Sequence, residues 1–356
     1  MTTRPLKTTW GFAHYLALFG TLMLMVQTWT WIGWWIGGPF SITEFKTPGS
    51  LNWWAARFYE VLFGCLFVFL LVWVTRRSLR ERRLVFDAKL MIAGISLLWV
   101  DEWTNIASPI WSYSSNFVNL NNPLAGFPFA VNPDLGRLPF PILLHTFVYP
   151  CANLCAAIVV CAVMRKLLQW RPGQSTAQLL LTVAAIGVLF DIAFELPMFL
   201  LGLWAYPGTP NAFALFPGYA HKFPIWEMIP AGMAFAAFGA LRFFKDDRGQ
   251  ELTERGLEHL SPRLRAFVSI TALIGVLHIV WLASTSTQAI VGFYSAPYPP
   301  MPKYLINGMC DAPVLGGGQV TGTRYGQCPE EGLRFPIRYL PGDHPGSPYE
   351  NPLDSP

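Results

Sequence analysis

Asp191 and Glu195 stand four residues apart in Leu179–Leu203, LLLTVAAIGVLFDIAFELPMFLLGL. At that spacing two side chains lie one above the other on one face of a helix. The stretch is otherwise almost wholly apolar and is long enough to cross a bilayer, which takes about 20 helical residues. A carboxylate inside hydrocarbon costs at least about 2.5 kcal/mol on the mildest scale. Such a pair persists either because neighbouring helices supply polar partners or because it does chemistry. Burial favours the neutral acid, and two close carboxylates do not easily both ionise, so one is held as the acid. The pair can then protonate a substrate at neutral pH and accept a proton back elsewhere. Dehydration, acetal formation and carbocation-type ring closure all suit this chemistry, and none needs a cofactor. Pro197 follows at once and weakens the helix ladder beside the pair.

Other chemistry-bearing residues fall around comparable apolar stretches. In LLWVDEWTNIASPIW, Asp101 and Asn105 share a helical face and Glu102 points about 100° away. In FPILLHTFVYPCANLC, Tyr149 lies one turn below His145, and Pro150 leaves the Thr146 carbonyl free to bond something else. Glu227 sits between Pro224 and Pro230. The sequence therefore nominates Asp191, Glu195, Asp101, Glu102 and His145 as catalytic. It nominates Glu60, Asn105, Asn116, Tyr149 and Glu227 as lining a substrate site. Each has a structural reading beside the functional one. Glu60 is three residues from Arg57 and suited to an ion pair, Asp101 and Glu102 can cap a helix exit, and a membrane histidine can simply be hydrogen-bonded in the packing.

These residues need helices to hold them. The chain has 356 residues, 53% hydrophobic and only 13% charged, with mean hydropathy +0.37. Soluble domains carry about 25% charged residues, so the chain reads as an all-α integral membrane protein. Seven spans are expected, at Gly11–Ile36, Trp53–Val74, Ala88–Ser108, Phe140–Met164, Thr176–Leu203, Pro224–Leu241 and Ala266–Gly292. Most of the 25 lysines and arginines fall before span one or between spans two and three, four and five, and six and seven. The positive-inside rule makes that side cytoplasmic, with the N-terminus inside and the tail outside. Net charge +4 then reports topology and lipid contact rather than nucleic-acid binding, and the cell membrane is the expected location. The first apolar run is too long for a signal peptide and no small-residue cleavage site follows it. Trp29, Trp31, Trp34 and Trp35 at its outer end look like an interfacial aromatic belt.

Two segments lie outside the expected seven-helix domain of residues 1–292 or between its spans. The outer loop Pro109–Pro139 is long, rich in Asn and aromatic residues and low in charge, which predicts a cover folded over the outer mouth rather than a linker. The tail, residues 293–356, is rich in Pro and Gly and reads as irregular and extracytoplasmic. Its Cys310 and Cys328 are expected to form a disulfide there, worth about 3 kcal/mol.

At about 1.5 Å per helical residue, Glu60, Asp101, Glu102, His145, Asp191, Glu195 and Glu227 all come out between mid-membrane and the outer surface. That predicts one polar cavity in the outer half of the bundle. HExxH, P-loop and GxGxxG motifs are missing from the sequence. No histidine spacing suits a di-iron oxygenase, and no span-seven lysine is available for a retinal Schiff base. No linear spacing supports a metal site among the carboxylates and His145, so none is expected.

The stretch WVDEWTNIASPIWSYSSNFVNLNNPLAGFP, with DIAFELP, PIWE and the CDAP of the tail, resembles the AveC-like spirocyclase family of actinobacterial membrane proteins over roughly Gly11 to Cys328. The resemblance implies closure of a dihydroxy-ketone into a spiroketal with loss of water, on a polyketide- or lipid-like substrate and without a cofactor. It carries no catalytic residue over, and a family name does not transfer a substrate. In that reading Asp191 or Glu195 is the general acid, Asp101 or Glu102 its partner, and His145 the base or orienter. Two readings of other classes stand beside it. One is a proton-linked transporter of small molecules or lipids, against which the halves show no repeat. The other is a non-catalytic membrane scaffold.

Overall fold

The computed structural model describes residues 11–292, except 41, 43, 107–109, 131, 133, 134, 207, 211, 213 and 218–220, together with 302–306. Cys310 and Cys328 lie outside the described residues. Helices dominate: α1 (Phe12–Gly37), α2 (Leu51–Glu81), α3 (Phe86–Ile95), α4 (Ile142–Trp170), α5 (Thr176–Leu200), α6 (Met228–Phe243) and α7 (Pro262–Gly292). Five of these, α1, α2, α4, α5 and α7, are long and apolar enough to cross a membrane. Their starts follow the usual capping chemistry. The Ser50 side chain accepts from the Trp53 N–H, Ser175 and Gln178 form a reciprocal box at α5, and α7 opens on Pro262, whose missing N–H costs nothing there.

The other two expected spans differ from the reading as uninterrupted helices. Span three is broken. Helix α3 has ten residues and stops at Ile95, and the chain tightens into a 3₁₀ turn over Asp101–Asn105. The tertiary contacts explain the break. Trp99 is fully buried and donates to His278 Nε2 on α7, while Asn105 Oδ1 accepts from the backbone N–H groups of Ile110 and Trp111 and turns the chain back. Span six is a 16-residue helix that starts at Met228 rather than Pro224, because Phe223–Pro224 is drawn into a short strand.

Helix α1 packs on α7, and α6 packs on both α4 and α5. The α5–α6 crossing is close enough that a Cβ on Gly187 would lie 2.5 Å from the Gly232 carbonyl oxygen. Only small residues let two backbones approach like this. The basic turns share one end of the bundle and are stapled there. Buried Asp87 receives Arg77 at 2.7 Å and Arg242 at 2.8 Å, and buried Lys89 pairs with Glu254. Burial works against the Glu251 charge, but hydrogen bonds from Glu254 and Lys245 outweigh it and hold its carboxyl at about 2.

At the opposite end the two long loops interleave. Strands β1 (Ser112–Tyr113) and β4 (Trp204–Ala205) pair antiparallel, as do β2 (Asn119–Asn121) with β3 (Pro139–Pro141) and β5 (Ala214–Leu215) with β6 (Phe223–Pro224). The loop expected to cover the mouth is thus a packed cap, with Ile110–Phe117 buried. Part of the tail docks on it. The Ser112 hydroxyl donates to the Leu305 carbonyl and the Ser115 N–H to that of Tyr304. Trp34, expected in an interfacial belt, is buried, and its indole donates to Asn121 of the cap. Trp29 and Trp35 are exposed.

Candidate functional site

Beneath the cap the chain forms a partly open cavity of about 70 Å³. Asp101 reaches it from the 3₁₀ turn after α3, His145 and Tyr149 from α4, Asp191 and Glu195 from α5, and Glu227 from the start of α6. Thr285 and Gln288 close it from α7. Apolar and aromatic groups make up the rest of the wall, including Phe194, Phe235 and Trp281. Such a wall with a few convergent polar groups is the usual form of a small-molecule site.

The three carboxyls of Asp191, Glu195 and Glu227 each place an oxygen within 4.8 Å of the others, and all three are buried. Among the described residues no lysine or arginine lines the cavity. Two unit charges about 4 Å apart repel by about 4 kcal/mol at an effective dielectric constant of about 20. The three carboxyls here therefore need a shared proton or a cation among them. The sequence displayed no metal spacing, yet the fold gathers three hard oxygen donors that a divalent cation can use. Their other partners are few. Tyr206 donates to Glu195 at 3.1 Å and Gln288 to Glu227 at 3.2 Å, with Gln288 itself fixed by Thr104 at 2.9 Å. Asp191 Oδ2 and Glu227 Oε2 have no hydrogen bond among the described residues.

A second centre faces the first. Tyr113 donates to Asp101 Oδ2 at 3.1 Å. His145 is boxed by the edges of Tyr113, Phe140 and Tyr149, with ring centroids 5.0, 4.8 and 5.6 Å away. Among the described residues neither of its ring nitrogens has a hydrogen bond of ordinary geometry, and the Leu98 backbone lies beside it. Burial, and then the nearby carboxyls, push the Tyr113 and Tyr206 phenols well above the usual tyrosine range. Both therefore donate as neutral hydroxyls.

The roof is the β1–β4 ribbon. Its register sets Tyr113 opposite Trp204, and alternation along each strand puts Trp111 and Tyr206 on that same face. Three of the four, Trp111, Tyr113 and Trp204, line the cavity. Tyr206 packs 4.8 Å from Trp111 and reaches Glu195.

Of the ten residues nominated from sequence, Asp101, His145, Tyr149, Asp191, Glu195 and Glu227 come together on this wall. Four do not line it. Glu102 is turned to Asn122 of the cap, because a 3₁₀ turn sets successive side chains about 120° apart. The same geometry separates Asn105 from Asp101, which a continuous helix would have aligned, and Asn105 serves the backbone at Ile110. Glu60 binds Arg57 at 2.9 Å and the Val118 N–H at 2.8 Å. Asn116 ties the cap to Asn52 and Thr47. Sequence reasoning missed Trp111, Tyr113, Trp204, Tyr206 and Gln288. A signal existed for the first four: Trp-Ser-Tyr and Trp-Ala-Tyr are two copies of one period-2 pattern, one in each long loop.

A family model described as "Spirocyclase AveC-like" matches residues 81–298. That range holds every polar residue of the cavity wall and the whole ribbon. Comparison with curated proteins and with solved structures returns no match.

Proposed function

This chain belongs to the AveC-like spirocyclase family, and from that premise we propose that it is a membrane-embedded cyclase acting on a lipid- or polyketide-like hydroxy-ketone. Ring closure of a dihydroxy-ketone to a spiroketal is redox-neutral. One hydroxyl adds to the carbonyl and gives a hemiketal. The hemiketal hydroxyl leaves as water after protonation, forming an oxocarbenium ion. The second hydroxyl adds to that carbon and releases its proton. The chemistry needs an acid, a base and a wall that tolerates positive charge.

The observation that carries the reading is the gathering of Asp191, Glu195, Glu227, Asp101 and His145 in one cavity that no lysine or arginine lines among the described residues. A proton shared among Asp191, Glu195 and Glu227 is the acid in this reading, and Asp101 with His145 takes up the proton released at the second closure. The electron-rich ring faces of the wall favour an oxocarbenium ion over neutral substrate by about 0.5–2 kcal/mol per well-placed ring. Ketal closure is facile in acid, so the enzyme's contribution is chiefly geometry and stereochemistry. We orient the chain with its basic turns in the cytoplasm and the cavity toward the outer leaflet. The broken third segment and short α6 then complete seven crossings in part through the cap.

Metabolite and lipid profiling of the host with and without the gene, complemented by wild type or by Asp191→Asn with Glu195→Gln, tests this. Accumulation of an open-chain hydroxy-ketone on deletion is expected, with no rescue by an expressed double variant. Unchanged profiles, or full rescue with an unchanged stereoisomer ratio, would sink the cyclase reading.

A further inference from the structure

Three indoles line the cavity, and they differ in one respect. Trp281 donates its N–H to Asn153 Oδ1 at 3.3 Å. Trp111 and Trp204 are 94–95% buried, and neither indole N–H has an acceptor among the described residues. A buried donor left unpaired forfeits the hydrogen bond that it made with water, a cost a native fold seldom leaves without a use. Tyrosine and tryptophan are usually placed so that their polar end finds a partner.

The unpaired donor recurs at two residues supplied by separate loops. Trp111 comes from the loop after α3 and Trp204 from the loop after α5. The register of β1 with β4 brings them to one face, where their rings stack with centroids 6.1 Å apart and planes 28° from parallel. The two tyrosines of the same face are already committed, Tyr113 to Asp101 and Tyr206 to Glu195. The roof therefore divides its polar groups. The phenols are spent on the acids, and the indole N–H groups are left over, on two residues of a wall that also carries four carboxyl groups.

We propose that Trp111 and Trp204 form an oxygen-binding subsite, a pair of neutral N–H donors that takes an uncharged ether, ketone or hydroxyl oxygen of an otherwise apolar ligand. Neutral donors suit this cavity. A lysine or arginine would pair with the carboxyls, whereas an indole N–H adds no charge, cannot accept a proton from the acids and presents its ring as apolar wall. The pair would fix which oxygen faces the acids and which is held away from them, and that choice sets ring geometry in a closure with two competing hydroxyls. The spiroketal form of the probe below rests on the cyclase reading, but the donor pair does not.

The test uses the full chain in lipid nanodiscs, with empty nanodiscs as the blank. Calorimetry compares the simplest spiroketal of two six-membered rings with its all-carbon isostere, in which CH₂ replaces each ring oxygen. Wild type is expected to bind the spiroketal about tenfold more tightly, the scale of one to two net hydrogen bonds. Trp111→Phe and Trp204→Phe should each shrink that preference and together abolish it. Affinity for the all-carbon ring should stay within about twofold, which shows that the wall is still folded. Equal affinities in wild type, failure of both probes to bind, or a preference that survives the double substitution overturns the proposal. A preference carried by these two residues in a chain that turns nothing over supports the pair and counts only against the cyclase reading.

Discussion

At the scale of single residues the site is a set of acids whose surroundings are unequal. Glu195 has a phenol, Glu227 an amide and Asp101 a phenol, while Asp191 Oδ2 has no partner among the described residues. A hydroxyl that donates to a carboxylate stabilises its charged form, so in the proposed mechanism Tyr206 and Tyr113 set which acid holds the proton. Replacing either with Phe keeps the ring in the ribbon and removes one hydrogen bond. Product formed per molecule of folded protein in isolated membranes should fall about tenfold for each, with expression unchanged. Tyr206→Phe combined with Glu195→Gln should cost little more than Glu195→Gln alone, since the two act through one contact. Strictly additive losses would show that Tyr206 does not work through Glu195.

At the scale of elements, the α5–α6 crossing decides the spacing of the carboxyls. Asp191 lies one helical turn beyond Gly187, and Glu227 lies at the N-terminal end of α6, five residues before Gly232. A methyl group at Gly187 meets the Gly232 carbonyl oxygen at 2.5 Å, so α5 and α6 must separate. Overpacking of this kind costs about 1–3 kcal/mol. Gly20 on α1 makes a similar close approach to α7, where an added Cβ would lie 2.0 Å from the Thr271 carbonyl oxygen. Gly187→Ala and Gly20→Ala should therefore both lower the thermal midpoint in detergent. Only Gly187→Ala should also lower turnover of the protein that remains folded, because only that crossing sets the acid spacing. Equal loss of turnover in both would refute the assignment.

At the scale of the whole molecule, charge and apolarity divide the bundle. One end is basic and stapled through Asp87 and Lys89, and the other carries the interleaved cap over the cavity. The flanks of α1 and α2 expose many large apolar side chains, among them Leu22, Met25, Phe58 and Phe69, as a lipid-facing surface does. With the native cysteines replaced, Arg83→Cys at the basic end should resist a membrane-impermeant maleimide in intact cells and react after lysis. Phe129→Cys in the cap, an exposed position, should react in intact cells. The reverse pattern would invert the orientation and place the cavity toward the cytoplasm.

The membrane class, the long apolar helices and the end of the bundle at which acids gather follow from local features of the sequence. Hydropathy summed over about 20 residues marks a helix, charge bias distinguishes its ends, and the 3.6-residue period stacks Asp191 above Glu195. The AveC-like resemblance rests on strings of residues legible in the same way. Rotation and interruption are not local. Asp101 parts from Asn105 because Trp99 and His278 meet across two elements far apart in sequence, and the chain tightens there. Glu227 joins Asp191 and Glu195 only because two glycines let α5 and α6 close. The aromatic roof exists only because two loops 91 residues apart pair in one register. Spacing along a helix gives depth, but the approach of one backbone to another depends on contacts between distant residues, and these decided which acids share a cavity.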